Sequence, residues 1–210
     1  MELNLNKNKE FTVSFLKKQP SLLPLTVNDQ LSEAVPTNKL LGVMLTSDLK
    51  WNKHDEYICS KARKRFYALR MLKRSGVPLS DLRSVYRYFI RPVLEYACPV
   101  WHTSLSLPLR DDVGDIQRRT IRRIYPYLSN SLGLHELNLA TLFDGRQSLC
   151  CSFYKSYLAS ARKIKDLIPK AVGHKYNFRR GWSLPLLQDR TKRFCNSFVP
   201  VSVAIRDDHP

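Results

Sequence analysis

The spacing of hydrophobic and polar positions changes near residue 48, and this change divides the chain. Before it, the runs Phe11–Leu16, Leu22–Val27 and Leu40–Leu45 are short and rich in Val, Phe, Thr and Leu. Such runs predict strands, and Gly42 inside the third run indicates a close approach by another backbone or a ligand. The N-terminal segment is therefore predicted to be a small β region.

From Asp48 onward, apolar residues recur at three- and four-residue steps, which is the spacing of amphipathic helices. Gly76 and Pro78 predict the end of the first helix. Its buried stripe is predicted to be Trp51, His54, Ile58, Ala62, Phe66, Leu69 and Leu72. Ser80 is predicted to cap a second helix, and Pro92 to kink or break it. The buried stripe of the second helix is predicted to be Leu82, Val85, Phe89, Val93 and Leu94.

A polar link, Thr103–Pro108, leads to a third predicted helix at Asp111–Tyr125. Acidic residues near its start and arginines near its end match the helix dipole. These residues are Asp111, Asp112, Asp115, Arg122 and Arg123. A fourth helix is predicted at about Leu139–Lys163, with Gly145 weakening it.

The pattern as a whole predicts an α+β fold that is mostly α. Residues 1–48 form the β segment, and residues 49–170 form a helical domain. Residues 171–210 contain glycines and prolines without a sustained period, so we predict an irregular tail.

The net charge of +17 and the pI near 9.9 favour a polyanionic partner, with nucleic acid first. The longest apolar stretch, Val85–Trp101, is interrupted by charged residues and a proline, so no membrane span is predicted. The N-terminus shows no apolar signal segment. We therefore expect an intracellular protein, nuclear or cytoplasmic and not secreted, whose five cysteines are thiols.

Two predicted helices carry rows of arginine and tyrosine on the side away from their apolar stripes. The rows are Arg63, Tyr67, Arg70 and Arg74 on the first helix, and Arg118, Arg122 and Tyr125 on the third. Guanidinium groups bind phosphate and tyrosine rings stack on bases, so these rows predict sequence-independent binding of nucleic acid. The alternative is that both are solvated helices whose arginine stems cover apolar edges.

Candidate chemistry is sparse. A zinc site has one weak candidate set, Cys98, His102, His54 and Cys59, without a C-x-x-C or H-x-x-x-H pair. The aspartate pair Asp111-Asp112 falls in a predicted helix and Asp207-Asp208 in the tail, so neither is predicted to be catalytic. We predict no catalytic residue, metal, cofactor or small-molecule substrate for this chain.

Three long sequence segments carry a specific resemblance to a known family. They are LLGVMLTSDLKWNKHDEYICSKARKRFYALRMLKRSGVP, LRSVYRYFIRPVLEYACPVWHTSL and DDVGDIQRRTIRRIYP. In this order they resemble the C-terminal part of the reverse transcriptase of non-LTR (LINE-type) retrotransposons. The opening LNLNKNKEFTVSF is similar to that family's N-x-x-K segment, with Asn6 and Lys9 on the motif, and NSFVP at Asn196–Pro200 resembles its closing phrase.

The resemblance implies that residues 1–48 are the edge of a polymerase palm and that the helices form a thumb, which in that family holds the template-primer duplex. It places Leu41, Gly42 and Val43 at the primer grip. The family's catalytic aspartates, which hold two divalent metal ions, precede the N-x-x-K segment. We therefore expect this chain to begin after them and to have no polymerase activity by itself.

The function predicted from these observations is a fragment of a retrotransposon RNA-directed DNA polymerase that binds RNA, DNA or their hybrid through its basic thumb helices. Three alternatives stay open. The arginine faces could bind an acidic protein, or the chain could be a decayed element without a selected function. The segment Leu40–Gly76 is also similar to an accessory module associated with AlkB-type tRNA-modifying dioxygenases and methyltransferases, although no H-x-D iron motif or glycine-rich cofactor loop accompanies it.

Overall fold

The computed structural model describes residues 9–16, 23–27, 30–159 and 191–202, and helices predominate among them. Strands occur only before residue 47 in these ranges, so the predicted α+β, mostly α fold is confirmed. The strands are β1 Lys9–Glu10, β2 Thr26–Val27, β3 Gln30–Leu31, β4 Glu33–Ala34, β5 Thr37–Leu40 and β6 Val43–Thr46. The α-helices are α1 Asn52–Arg74, α2 Leu79–Val85, α3 Arg91–Glu95, α4 Cys98–Trp101, α5 Leu107–Ile124, α6 Asn130–Glu136, α7 Leu142–Ala159 and α8 Lys192–Cys195.

The chain divides into two compact units, Met1–Ser60 and Lys61–Pro210, and the division falls inside α1. We call them unit 1 and unit 2. The predicted domain boundaries at residues 48 and 170 stay predictions. Most of the predicted tail, 171–190 and 203–210, lies outside the described residues.

In unit 1 the strands pair two by two, with β1 parallel to β4 and the pairs β2–β3 and β5–β6 antiparallel. The predicted single strand Leu40–Leu45 is wrong because the chain reverses inside it. Leu41 and Gly42 both have positive φ, 46° and 85°, as the two central residues of a tight hairpin turn require. Gly42 therefore serves the turn and not a close approach within a strand.

The first two predicted strands are also largely wrong. Phe11–Leu16 forms no strand: the amide of Ser14 donates to Ser47 O at 3.1 Å, but no described strand pairs along this segment. Of Leu22–Val27, only β2 is a strand, and Leu22 lies outside the described residues. In this part of the chain, the apolar runs are therefore longer than the strands that pair.

Helix α1 begins and ends close to the predicted positions. Most of its predicted stripe is buried, although Leu72 is exposed. Gly76 ends the helix with a φ of +79°. The amide of Gly76 donates to Lys73 O and that of Val77 to Leu72 O, both at 3.2 Å, which is the Schellman arrangement.

The second helix departs from prediction at its start and in its buried stripe. Pro78, and not Ser80, is its N-cap. At Pro92, which has no N–H, the helix does not break but widens into a π-helix over Tyr86–Ile90, where the Arg91 amide donates to Tyr86 O. The wider turn rotates the register, so the fully buried residues are Leu82, Tyr86, Ile90 and Leu94, and Phe89 is exposed.

The third helix starts earlier than predicted. Because α5 begins at Leu107, Asp111, Asp112 and Asp115 lie beyond its first turn, and the predicted match with its positive end is wrong. The fourth predicted helix, Leu139–Lys163, corresponds to α7, and residues 160–163 lie outside the described residues. Helix α6 was not predicted; its N-cap is Ser129, whose hydroxyl accepts from the Leu132 amide at 3.3 Å.

The core of unit 2 contains a polar cluster between α3, α5 and α7. Arg91 Nε donates to Glu95 Oε1 at 2.7 Å and Arg91 Nη1 donates to Ala140 O at 2.9 Å. Gln117 Oε1 accepts from the Leu142 amide at 2.8 Å, which links α5 to the start of α7. These bonds fix three helices around the same short segment.

Gly145 is required by this packing. A Cβ at Gly145 would overlap the Arg91 guanidinium and stand 3.0 Å from Glu95 Oε1. We predict that Gly145→Ala lowers the free energy of unfolding by about 2 kcal/mol in urea titrations, since overpacking outweighs the gain in helix propensity. Gly114→Ala on α5 is the control, because its Cβ would meet only the flexible end of Arg118. Equal stability of the two variants would contradict the packing role.

His54 predicts a pH dependence of stability. It is fully buried, and its Nδ1 accepts from the Met44 amide at 3.2 Å, which requires an unprotonated Nδ1. Burial lowers the pKa of His54 from 6.5 to about 4. As pH falls, the unfolded chain therefore binds a proton at His54 before the folded chain does. The contribution of neutral His54 to the free energy of unfolding is complete above about pH 6.5 and is lost towards pH 4. The loss is about 3 kcal/mol at most.

Urea unfolding at several pH values between 7.5 and 4 measures this loss. His54→Asn should show a weaker pH dependence than the unmodified chain in this window. His135→Gln, at an exposed position on α6, should keep the original dependence. If His54→Asn also keeps it, His54 is not the titrating group.

Candidate nucleic-acid interface

The C-terminal half of α1 is strongly basic. Between Lys61 and Arg74 the sequence has seven basic residues and no acidic one. Arg63, Tyr67 and Arg74 are exposed, and Arg70 is half-buried. The predicted row on α1 thus lies on the surface, with Arg63 and Arg74 about 16 Å apart along the helix at about 1.5 Å per residue.

The predicted row on α5 is only partly present. Arg122 is exposed, but Arg118 is engaged locally. Its Nη2 and Nε lie 2.5 and 2.9 Å from Asp115 Oδ1, and its Nη2 also donates to Asp111 O at 3.3 Å. The charge of Arg118 is therefore offset by a carboxylate one turn away.

Tyr125 does not lie on an exposed face, which corrects the prediction that it contacts nucleic acid. It is 8% exposed and its ring lies beneath the Arg83 guanidinium at 5.2 Å. The reason is the end of α5 at Ile124: Tyr125 has φ −119° and ψ 84°, so its side chain leaves the helical face that the spacing assumed.

Lys73 brings the ends of the two basic helices together. Its ammonium donates to the carbonyl of Arg123 and, at 3.3 Å, to that of Ile124. The last turn of α1 is thus held against the last turn of α5. Arg74 follows Lys73 in the chain, Arg122 and Arg123 lie in the last turn of α5, and all three are exposed. We call the exposed side chains Arg63, Tyr67, Arg74, Arg122 and Arg123 the basic face.

Two members of this arrangement were absent from the predicted site. Lys73 donates hydrogen bonds to carbonyls that are 50 and 51 positions away in the chain. No local sequence pattern therefore predicts these contacts. From the sequence, Arg123 is predicted only to match the helix dipole. The adjacent pair Arg122-Arg123 at the end of a helix was the signal that could have identified it.

The residues that the resemblance placed at the primer grip form the tip of the β5–β6 hairpin. Leu41 is 84% exposed, whereas Val43 is buried. Lys9 lies in β1, with its ammonium 3.5 Å from Glu33 on the neighbouring strand. Asn6 lies outside the described residues.

The thiols and histidines of the zinc candidate are engaged in other contacts. Cys59 donates to Asp55 Oδ1 at 3.6 Å, and His102 packs edge-on against Phe143 at 5.1 Å. Across the described ranges, no three His, Cys, Asp or Glu side chains are close enough to hold a metal ion. In the same ranges no helix is both long and apolar enough to cross a membrane.

The junction at Lys73 gives a test of how the basic face is held. We predict that Lys73→Met lowers the free energy of unfolding by about 1 to 2 kcal/mol, because two carbonyls at the end of α5 lose a charged donor. Lys64→Met, an exposed position on the same helix, should change stability by less than about 0.5 kcal/mol. Urea titration measures both, and equal values would show that the junction does not depend on Lys73.

The chain is similar in sequence to a polymerase encoded by a transposon. Over 149 aligned residues the chain is 26% identical to the probable RNA-directed DNA polymerase from transposon X-element of Drosophila melanogaster. The alignment covers 68% of this chain and 16% of that polymerase, so the chain spans a small part of the relative's length. No family model and no solved structure matches the chain. The similarity supports a relationship to the reverse transcriptases of transposons.

Proposed function

We propose that this chain is the palm-edge and thumb region of a retrotransposon reverse transcriptase and that its unit 2 binds RNA, DNA or their hybrid through the phosphate backbone. The observation that carries the proposal is the junction at Lys73, which joins the ends of two helices that both bear exposed arginines, Arg74 on α1 and Arg122 and Arg123 on α5. Similarity to a transposon polymerase supports the same assignment.

The chemistry of the basic face suits a backbone and not a base sequence. A duplex carries one negative charge per about 1.7 Å of its axis, so the row from Arg63 to Arg74 can meet several phosphates at once. Guanidinium groups bind phosphate oxygens in pairs, and Tyr67, 60% exposed, can stack on a sugar or base. None of these contacts distinguishes one base pair from another, so binding is independent of sequence.

Polymerisation is assigned to other parts of the parent enzyme. The transfer of a nucleotide needs aspartates that hold two metal ions at the attacking and leaving oxygens. Asp111 and Asp112 do not provide this arrangement, since both lie within α5 on exposed positions. We propose that the residues of this chain hold the nucleic acid and do not catalyse its extension.

A salt series on hybrid, DNA and RNA duplexes tests the binding. We predict that log K falls steeply with log salt concentration, because each phosphate contact releases counterions. Arg74→Gln and Arg122→Gln should each reduce the slope by about 1 and weaken all sequences alike. Fluorescence anisotropy between 50 and 200 mM salt measures these slopes.

The control is Lys155→Gln, which removes one positive charge from an exposed position on α7, outside the basic face. It should leave the slope unchanged. A slope near zero for the unmodified chain would overturn the proposal. Binding of polyglutamate as tight as that of the hybrid duplex would favour an acidic protein as the partner.

A further inference from the structure

Two buried thiols lie together between α4 and α7. Cys98, on α4, is 1% exposed, and Cys150, on α7, is 2% exposed. Cys98 Sγ donates to the carbonyl of Arg146 at 3.8 Å, one helical turn before Cys150. A helical side chain leans over the turn that precedes it, so the thiol of Cys150 lies over this same turn. The thiols of Cys98 and Cys150 form a hydrogen bond with each other.

The surroundings make the two thiols unequal. The hydrogen bond with Cys150 lowers the pKa of Cys98, and the positive charge of Arg146 acts in the same direction. Burial and the carboxylate of Glu95 oppose this shift in the pKa without cancelling it. The hydrogen bond with Cys98, together with burial, raises the pKa of Cys150. Cys98 is therefore the thiol that ionises first, and the thiolate is the nucleophilic form of cysteine.

The start of α4 provides a route of access to Cys98. Helix α4 has only four residues, and Ala97 before it has a φ of +51°, which is strained for a residue with a side chain. Val100 in the same helix is 54% exposed, so α4 lies at the surface of unit 2. A short, strained element at the surface opens locally at a lower cost than a long helix such as α7. Local opening of α4 exposes Cys98 to a small oxidant.

We propose that Cys98 and Cys150 form a redox site, in which hydrogen peroxide converts the two thiols into a disulfide that joins α4 to α7. The Cys98 thiolate attacks one peroxide oxygen and the O–O bond breaks. Cys98 becomes a sulfenic acid, and the other oxygen leaves as hydroxide, which takes up the proton that Cys98 released.

The second step forms the disulfide. The sulfur of Cys150 attacks the sulfur of Cys98, the S–O bond breaks, and the hydroxyl leaves with the Cys150 proton as water. In total, the two thiols lose two electrons, and hydrogen peroxide is reduced to two molecules of water. No further reactant is needed.

The disulfide stabilises unit 2. Cys98 and Cys150 are 52 positions apart in the chain, so the bond closes a long loop that contains α5 and α6. A cross-link over a long loop restricts the unfolded chain and raises the free energy of unfolding. Neither cysteine is a member of the basic face, so the redox site does not depend on the proposed binding of nucleic acid.

The test treats the reduced full chain with increasing concentrations of hydrogen peroxide, alkylates the remaining thiols and maps linked peptides by mass spectrometry. We predict a disulfide between Cys98 and Cys150. Cys151→Ser, at the adjacent and less buried position, should keep the link, which in that variant can only be to Cys150. Cys150→Ser should remove it. The urea midpoint of the oxidised chain should rise by about 1 M or more and return to its original value in a dithiol reductant.

A reagent that labels sulfenic acid identifies the thiol that reacts first. In Cys150→Ser it should label Cys98, because the thiol that would displace water is absent. In Cys98→Ser it should leave Cys150 unlabelled, because the raised pKa of Cys150 keeps this thiol protonated. The reverse labelling would overturn the role of Cys98.

Mapping in the unmodified chain and in Cys151→Ser decides the disulfide even where Cys150→Ser does not fold. Loss of the link in a folded Cys151→Ser chain overturns the site. Peroxide oxidation of the less buried Cys151 and Cys195 without a Cys98–Cys150 disulfide overturns it as well.

Discussion

The buried ion pair between Arg91 and Glu95 is the interaction on which the rest of unit 2 depends. Its side chains are 9% and 18% exposed, and Arg91 also donates to Ala140 O, just before α7. Removing one partner of such a pair leaves a buried charge, which costs about 3–5 kcal/mol. The pair therefore fixes α3 against the start of α7, where Gly145 provides the space.

From this cluster the constraint extends to the basic face. Gln117 accepts a hydrogen bond from the Leu142 amide and donates one to Ala140 O at 3.4 Å. Helix α5 is therefore bonded to the same Ala140–Leu142 segment as Arg91. The far end of α5 meets Lys73 of α1. A chain of polar contacts thus leads from a buried ion pair to the junction between the ends of two basic helices. Exposed arginines repel one another, and rigid helices are what keeps them together.

Sequence periodicity predicted the helices well where each helix is regular. The stripe of α1 and the buried residues Val113, Ile116 and Ile124 of α5 follow directly from it. It failed where tertiary contacts or an irregular turn intervene. The π-helix before Pro92 exchanged Phe89 for Ile90 in the core, and the end of α5 turned Tyr125 inward. Gly145 was interpreted as a weakness of α7 because a propensity scale contains no information about Arg91. The exposure of most arginines in the two rows was predictable from helical spacing. The junction at Lys73 was not, since it depends on carbonyls that are distant in sequence.

Charge is divided along α5. Its first half carries Asp111, Asp112 and Asp115, and the charged residues of its last turns are all arginines. Arg118 pairs with Asp115 at 2.5 Å, so the side chain of Arg118 is held towards the acidic half of the helix. Arg122 and Arg123 have no acidic residue within four positions along the chain. The positive charge of α5 is therefore concentrated at the end that Lys73 holds.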